Sequence, residues 1–354
     1  NSKTILKATA AVGEYFKTYR HRAVLVGYDG RVLSSEYAQL TAYKLQRMGF
    51  NVMLSNRSVP TPVFSLCMSM LNAVFGIMIT ASHNPMQFNG YKLFIEDGKQ
   101  AEADVTDEIQ RLMSSTLDYE LKDYEDVDRT FLYFGPLEIF KSYVSASYKR
   151  AKNEMSLMYS PMYGVGEPYM ATFLEMVFGT NYMTVPEHRE SQVFLESANP
   201  EEPAAWETIF KQPIDKENKP DLIFATDPDS DRISFCAKTA NNDYILFKGQ
   251  EIAIMLTAYL AETRNVEYKD TIVKSNVTTD VVERIWPGMT VNVPVGFKNI
   301  AEKMDPHFIA GFEESCGFNL RRDILDKDPY SSIFEIINMA NFVKKTYNVT
   351  LDEY

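Results

Sequence analysis

The chain has 354 residues, 45% hydrophobic and 24% charged, with a formal net charge of −12. Such a length exceeds one ordinary domain core and predicts two or three domains. The acidic balance argues against nucleic-acid or anionic membrane partners, but not against a small anionic substrate held by a local cluster of cations. Every long apolar stretch is broken by Gly, Pro or polar residues, so no membrane span is expected. The first residues lack the basic, apolar, small-residue order of a secretory leader. Three scattered cysteines, Cys67, Cys236 and Cys316, form no CxxC pair. They predict a reducing, cytoplasmic setting without structural zinc.

The first hundred residues alternate between strand and helix patterns. Residues 23–28 (AVLVGY) read as a strand ending in the turn pair Asp29-Gly30. Ser34 or Ser35 can cap a helix that runs to Met48 and stops at Gly49. A second strand covers 51–54, and Pro60 and Pro62 break the chain before a helix over 64–71. A third strand, 75–80, leads into Ala81-Ser82-His83-Asn84-Pro85, and a fourth covers 91–95. Residues 115–130, rich in Asp, Glu, Lys and Tyr, read as a solvated crossing segment before a helix over 137–150. A second unit starts near Met155 and holds a strand at 221–226, a hairpin pair at 233–237 and 244–247, and a helix at 250–263. A third starts near Asp270, with strands at 271–274, 290–293 and 308–310 and a last helix over 332–346. The pattern predicts an α/β protein of consecutive domains, with mixed, mainly parallel sheets whose ligands lie beyond the strands' carboxyl ends.

Three segments at such strand ends carry candidate chemistry. In Asp227-Pro228-Asp229-Ser230-Asp231-Arg232, three carboxylates at alternate positions offer oxygen ligands that suit Mg²⁺. A calcium loop needs Gly sixth and Glu twelfth, and here those positions hold Arg232 and Lys238. An acidic surface turn would give the same alternation. Ser82 follows an apolar strand and is either a nucleophile or phosphate carrier, or a turn-forming serine. No G-x-S-x-G elbow supports a hydrolase triad. His83 could polarise a phosphate or bond backbone. Glu313 and Glu314, in Gly311-Phe312-Glu313-Glu314-Ser315, could accept hydrogen bonds from sugar hydroxyls or mark a solvated loop.

Together these segments resemble the α-D-phosphohexomutase superfamily, which comprises phosphoglucomutases, phosphomannomutases and phosphopentomutases. That family carries a T-A-S-H-N-P serine loop, a D-x-D-x-D-R metal loop and a G-E-E-S sugar loop, here in the same order. Gly27 to Arg31, Phe88 to Lys92 and Gly296-Phe297-Lys298 resemble three further family segments. Glu96 to Gln100 and the Gly-Phe-Glu-Glu form resemble the phosphoglucomutase/phosphopentomutase branch. The family's G-T-[SA]-G-L-R-G segment and its fourth domain with an S-G-T phosphate loop have no counterpart in these 354 residues. Gly311-Phe312 departs from Gly-Glu, and Asp328-Pro329 from Asp-Gly.

The resemblance implies a phosphoserine-bearing domain (1–150), a metal-binding domain (151–265) and a sugar-binding domain (266–354) around a central cleft. It implies a mutase that moves a phosphoryl group between the 1 and 6, or 1 and 5, positions of a sugar phosphate. Phosphorylated Ser82 would carry the group. Mg²⁺ would be held by Asp227, Asp229, Asp231 and a phosphoserine oxygen. A sugar bisphosphate such as glucose 1,6-bisphosphate would be the activator. Lys92 is the first candidate for general acid/base, since nearby cations can lower a lysine pKa, with Arg31 or His83 second. Arg232 and Lys298 would bind phosphate or sugar oxygens, beside Glu313, Glu314 and Ser315. The expected partner is a small sugar phosphate, and the assembly a monomer or homodimer. A sugar-bisphosphate synthase with a separate donor, or a non-catalytic sensor, are the rival readings.

Overall fold

The computed structural model describes residues 1–115, 130–194, 197–212 and 219–354. Most of the predicted crossing segment, 116–129, lies outside the described residues.

The first unit holds helices α1 (Ser2–Tyr15), α2 (Ser34–Arg47), α3 (Thr61–Met70) and α4 (Ala103–Ser115), and α5 (Pro136–Ser147) leads from it into the second. Its strands are β1 (Ala23–Tyr28), β2 (Asn51–Ser55), β3 (Phe75–Ile79), β4 (Lys92–Ile95) and β5 (Leu132–Phe134). They form a sheet in the order β4-β3-β1-β2-β5, parallel except for β4. Alternation along the strands explains its two covered faces. Val24, Val26, Phe75, Ile77 and Ile79 pack under α1, α2 and α4, whereas Leu25, Met78 and Phe94 pack under α3 and α5.

The second unit has β6 (Leu157–Ser160), α6 (Glu167–Phe178), β7 (Tyr182–Thr184), the short α7 (Glu207–Phe210), β8 (Leu222–Thr226), β9 (Ile233–Lys238) and β10 (Tyr244–Leu246), and α8 (Gly249–Thr263) leads from it into the third. Its sheet runs β10-β9-β8-β6-β7. The third has β11 (Thr271–Ser275), α9 (Val281–Ile285), β12 (Met289–Val293), α10 (Phe297–Ala301), β13 (Phe308–Phe312), β14 (Phe318–Asn319) and α11 (Pro329–Tyr347), with sheet order β12-β11-β13-β14.

One topology recurs in all three units. A central first strand has the second on one side and the third on the other, all parallel, and a fourth strand returns antiparallel beside the third. The turn from third to fourth strand is residues 80–91, 227–232 and 313–317 in the three units. The serine, aspartate and glutamate segments therefore occupy one equivalent position each, although the sequence alone supports no repeat. A continuous apolar core joins the units. Phe140 of α5 meets the ring of Tyr330 of α11 at 4.6 Å and that of Tyr169 of α6 at 5.8 Å.

Several boundaries differ from the sequence reading, which also lacks helices α1, α4, α6, α7, α9 and α10 and strands β5, β6, β7 and β14. Helix α3 begins at Thr61, not near 64, because Pro62 occupies the first turn, where its missing N–H costs nothing. Ser34 does not cap α2; Leu33, at φ 66°, holds that position, and the Ser34 hydroxyl donates to Asp29 instead. Helix α11 starts at Pro329, with Asp328 capping the Tyr330 amide, so the unusual Asp-Pro pair serves as a helix start. Among the described residues, no helix is long and apolar enough to cross a membrane.

Candidate active site

Ser82 follows β3 in a left-handed backbone conformation, φ 51°, with its amide bonded to Thr80 Oγ1. Gly90 closes the loop, because a Cβ there would stand 2.2 Å from the Thr80 carbonyl oxygen. Arg31 lies beneath, almost fully buried. Its guanidinium donates to the carbonyls of Ser82, Asn84, Pro85 and Phe88 and faces the Asp29 carboxylate at 3.2 Å. Asp29 is in turn held by the Ser34 hydroxyl and the Arg31 amide. Arg31 thus spends its donors on the shape of the serine loop.

The Ser82 hydroxyl points across to the second unit and donates to Asp227 Oδ2 at 2.8 Å, with His83 Nδ1 at 3.2 Å. Asp227, Asp229 and Asp231 sit on the tight turn after β8, all buried, with one oxygen from each within 4.8 Å of the others. Asp227 Oδ1 accepts from the amides of Asp231 and Arg232, which fixes the turn. Gly164 lets the turn pack closely, since a Cβ there would meet Pro228 backbone at 2.3 Å. Lys92, at the start of β4, donates to Asp229 Oδ2 at 2.7 Å and Asp231 Oδ2 at 3.1 Å. The other oxygens, Asp229 Oδ1 and Asp231 Oδ1, are buried and lack a hydrogen-bond partner among the described residues.

Burial and the charges of Asp229 and Asp231 push Asp227 well above the carboxylate range. For Asp229, burial acts in the same sense but is outweighed by Lys92, and its pKa ends lowered. Burial pulls the Lys92 ammonium down, yet Asp229 and Asp231 outweigh it and hold its pKa above the ordinary lysine value. This corrects the expectation that cations lower it, because carboxylates are its nearest partners. His83, half-buried, is lowered first by burial and then by Arg232.

The third unit closes the site. Glu313 is buried and accepts from the Gly296 amide at 3.2 Å; burial raises its pKa against the pull of Lys327 and Arg232. Glu314 accepts from the Ser275 hydroxyl at 2.7 Å. Arg232 donates to the Ser315 carbonyl at 3.3 Å and pairs with Glu201 at 2.5 Å. Lys298 sits in α10, two residues from Gly296, and its ammonium has no ion pair among the described residues. Gly311 and Phe312 end β13, where Phe312 is buried against Phe318, which accounts for an apolar residue before the acidic pair.

Two residues that sequence reasoning missed complete the cluster. Lys327 is buried and reaches Asp231 Oδ2 at 3.1 Å from the third unit. Thr61, at the start of α3, bonds Asp229. The Gln100 amide holds Asp326 Oδ2 at 2.8 Å, tying the Glu96-to-Gln100 segment to the residue before Lys327. No local sequence signal marks Thr61 or Lys327, because each is a single polar residue brought to the aspartates only by the packing of one unit on another.

Three family models match in succession: phosphoglucomutase/phosphomannomutase alpha/beta/alpha domain I over residues 1–120, domain II over 137–240 and domain III over 248–354. The chain belongs to the phosphoglucomutase/phosphomannomutase family. It is 29% identical to a phosphoglucomutase of Staphylococcus haemolyticus, matching 100% of this chain and 68% of that protein. It is 28% identical to the human glucose 1,6-bisphosphate synthase, over 100% of this chain and 63% of that protein. It spans about two thirds of the length of these relatives. The fold matches that of a candidate phosphomannomutase of Thermus thermophilus, with a TM-score of 0.81, 22% identity and coverage of 100% of this chain and 78% of that one. Family membership agrees with the α-D-phosphohexomutase resemblance and with the placement of its three loops around one cleft.

Proposed function

We propose that this chain carries the phosphoryl-transfer centre of a phosphosugar mutase, with Ser82 as the phosphoryl carrier. The observation that supports this most is the Ser82 hydroxyl, 2.8 Å from Asp227, facing two further buried aspartates with unpartnered oxygens. Those open oxygens and the carboxylate-only donor set fit Mg²⁺ held by Asp227, Asp229, Asp231 and an oxygen of phosphorylated Ser82. Such a cation would neutralise charge on the transferring phosphoryl group.

The residues then divide the work. The bond between phosphorus and Ser82 Oγ breaks as one forms to the free hydroxyl of a sugar monophosphate, and the Ser82 oxygen recovers a proton. Lys92, held protonated by two carboxylates, would hold a phosphoryl oxygen, and its raised pKa makes it the weaker proton donor. His83, with its lowered pKa and contact to Ser82 Oγ, would take the proton from the sugar hydroxyl and return it to the Ser82 oxygen. Arg31 acts by positioning the loop. Glu313, Glu314 and Ser315 would grip sugar hydroxyls, and Arg232 and Lys298 the distal phosphate. The return transfer to Ser82 takes the other phosphate of the bisphosphate.

A second reading, a sugar-bisphosphate synthase, is supported by the 28% identity of this chain to a glucose 1,6-bisphosphate synthase, of which it covers 63%. It uses the same phosphoserine with a separate donor. The first experiment incubates the protein with Mg²⁺ and glucose 1,6-bisphosphate and maps phosphate by peptide mass spectrometry. Phosphate on the Ser82 peptide is expected. Its absence there, or its presence on another residue, overturns the assignment. A screen of donors against hexose and pentose monophosphates then separates mutase from synthase.

A further inference from the structure

We propose that Thr61 is a positioning residue of the metal loop: its hydroxyl turns the Asp229 carboxylate so that Oδ1 stays open to a divalent cation. This rests on the metal reading above and adds a residue from another unit to it.

Thr61 is fully buried at the first position of α3. A threonine at a helix start commonly turns its hydroxyl onto its own helix. Here the cap position is Pro60, with no side-chain cap bond, and the Thr61 hydroxyl leaves the helix altogether. Its Oγ1 donates to Asp229 Oδ2 at 2.7 Å, and its amide donates to the Asp229 carbonyl at 2.8 Å. One residue of the first unit therefore holds both the backbone and the carboxylate of one residue in the second.

Lys92 donates to the same Oδ2 at 2.7 Å. Two donors converge on that oxygen while Oδ1 of the same carboxylate is buried with no partner among the described residues. Rotation of the carboxylate would exchange these two environments. Lys92 divides its ammonium between Asp229 and Asp231, so it does not by itself set the turn of the Asp229 carboxylate. The short, buried Thr61 side chain supplies the direction, as outer hydrogen bonds do for ligating carboxylates in other metal sites.

The test uses Mn²⁺, which shares the oxygen preference of Mg²⁺. Binding to the 354-residue chain is measured by the loss of the free-ion electron paramagnetic resonance signal, with no turnover involved. Thr61→Val keeps the shape and removes the hydroxyl, and Thr61→Ser keeps the hydroxyl. Expected is one Mn²⁺ per wild-type chain, weakening of about tenfold or more in Thr61→Val, and near wild-type binding in Thr61→Ser. Thermal melts check that each variant folds, and Thr61→Ala replaces valine if the extra methyl is not accommodated. Equal Mn²⁺ affinity in wild type and Thr61→Val overturns the proposal while leaving the metal site standing. A loss in Thr61→Ser as large as in Thr61→Val also overturns it, since packing then matters and not the hydroxyl. Absence of Mn²⁺ binding in the wild type overturns the metal reading itself and this inference with it.

Discussion

The Ser82 hydroxyl donates to Asp227 Oδ2 at 2.8 Å across 145 residues of sequence. Two loops from different sheets thus bring a serine hydroxyl to a buried acidic cluster, and neither loop alone makes that arrangement. Removing the oxygen should remove the reaction and little else. Ser82→Ala is expected to lose phosphate incorporation from glucose 1,6-bisphosphate completely. Its melting temperature should stay close to wild type, because Ser82 is only half-buried. Its left-handed φ of 51° favours glycine, so Ser82→Gly should be equally inactive and no less stable. Phosphate incorporation by either variant, measured by peptide mass spectrometry, would refute the carrier assignment.

Asp229 differs from Asp227 in having an open, buried oxygen, Oδ1, and two donors on the other. Asp229→Asn removes a hard anionic ligand and replaces one oxygen with a donor. The Mg²⁺ concentration for half-maximal phosphoryl transfer should rise by about an order of magnitude or more. An unchanged Mg²⁺ titration would remove Asp229 from the metal set.

Much of this site is legible in the sequence because its loops are local runs: three aspartates on alternate residues, a serine after an apolar strand, two adjacent glutamates. Each run sits where a parallel strand ends, so strand periodicity and turn residues locate them together. Thr61 and Lys327 are not legible for the opposite reason. Each is a single polar residue, and only the docking of one unit on another brings it to the aspartates. Arg31 is visible as a charge but not as a loop support, because its partners are backbone carbonyls that carry no sequence signature. Helices α1 and α4 are harder to read because neither is bounded by the turn motifs that mark the strand ends. The start of α3 falls earlier than the prolines suggest, because Pro62 is a first-turn residue and not a breaker.

Arg31 is expected to matter for loop geometry more than for charge. Lysine keeps the charge but cannot serve four carbonyls and the Asp29 carboxylate at once. Arg31→Lys should lower unfolding free energy by about 2–3 kcal/mol and speed hydrogen exchange across residues 80–90. Both follow from buried carbonyls that lose their donors. If exchange in that loop is unchanged, the clamp is not what shapes it.

Asp328 offers a test of burial through pH. It caps α11 with Oδ1 on the Tyr330 amide, while Oδ2 is buried without a hydrogen-bond partner among the described residues. Burial pushes its pKa from 3.8 up to about 6, against the pull of the Ser331 and Tyr330 bonds. Between these values the folded chain binds the proton more tightly than the unfolded one, so stability contributed by this group falls as pH rises from about 4 to 6. Above that window the ionised group costs about 3 kcal/mol. Asparagine keeps the cap and cannot ionise. The unfolding free energy of Asp328→Asn relative to wild type should therefore be about 2 kcal/mol larger at pH 7 than at pH 4.5. Paired urea titrations at the two pH values measure that difference directly. Because every other titrating group is shared by the two proteins, an equal gap at both values would mean that Asp328 ionises as freely in the fold as in the unfolded chain.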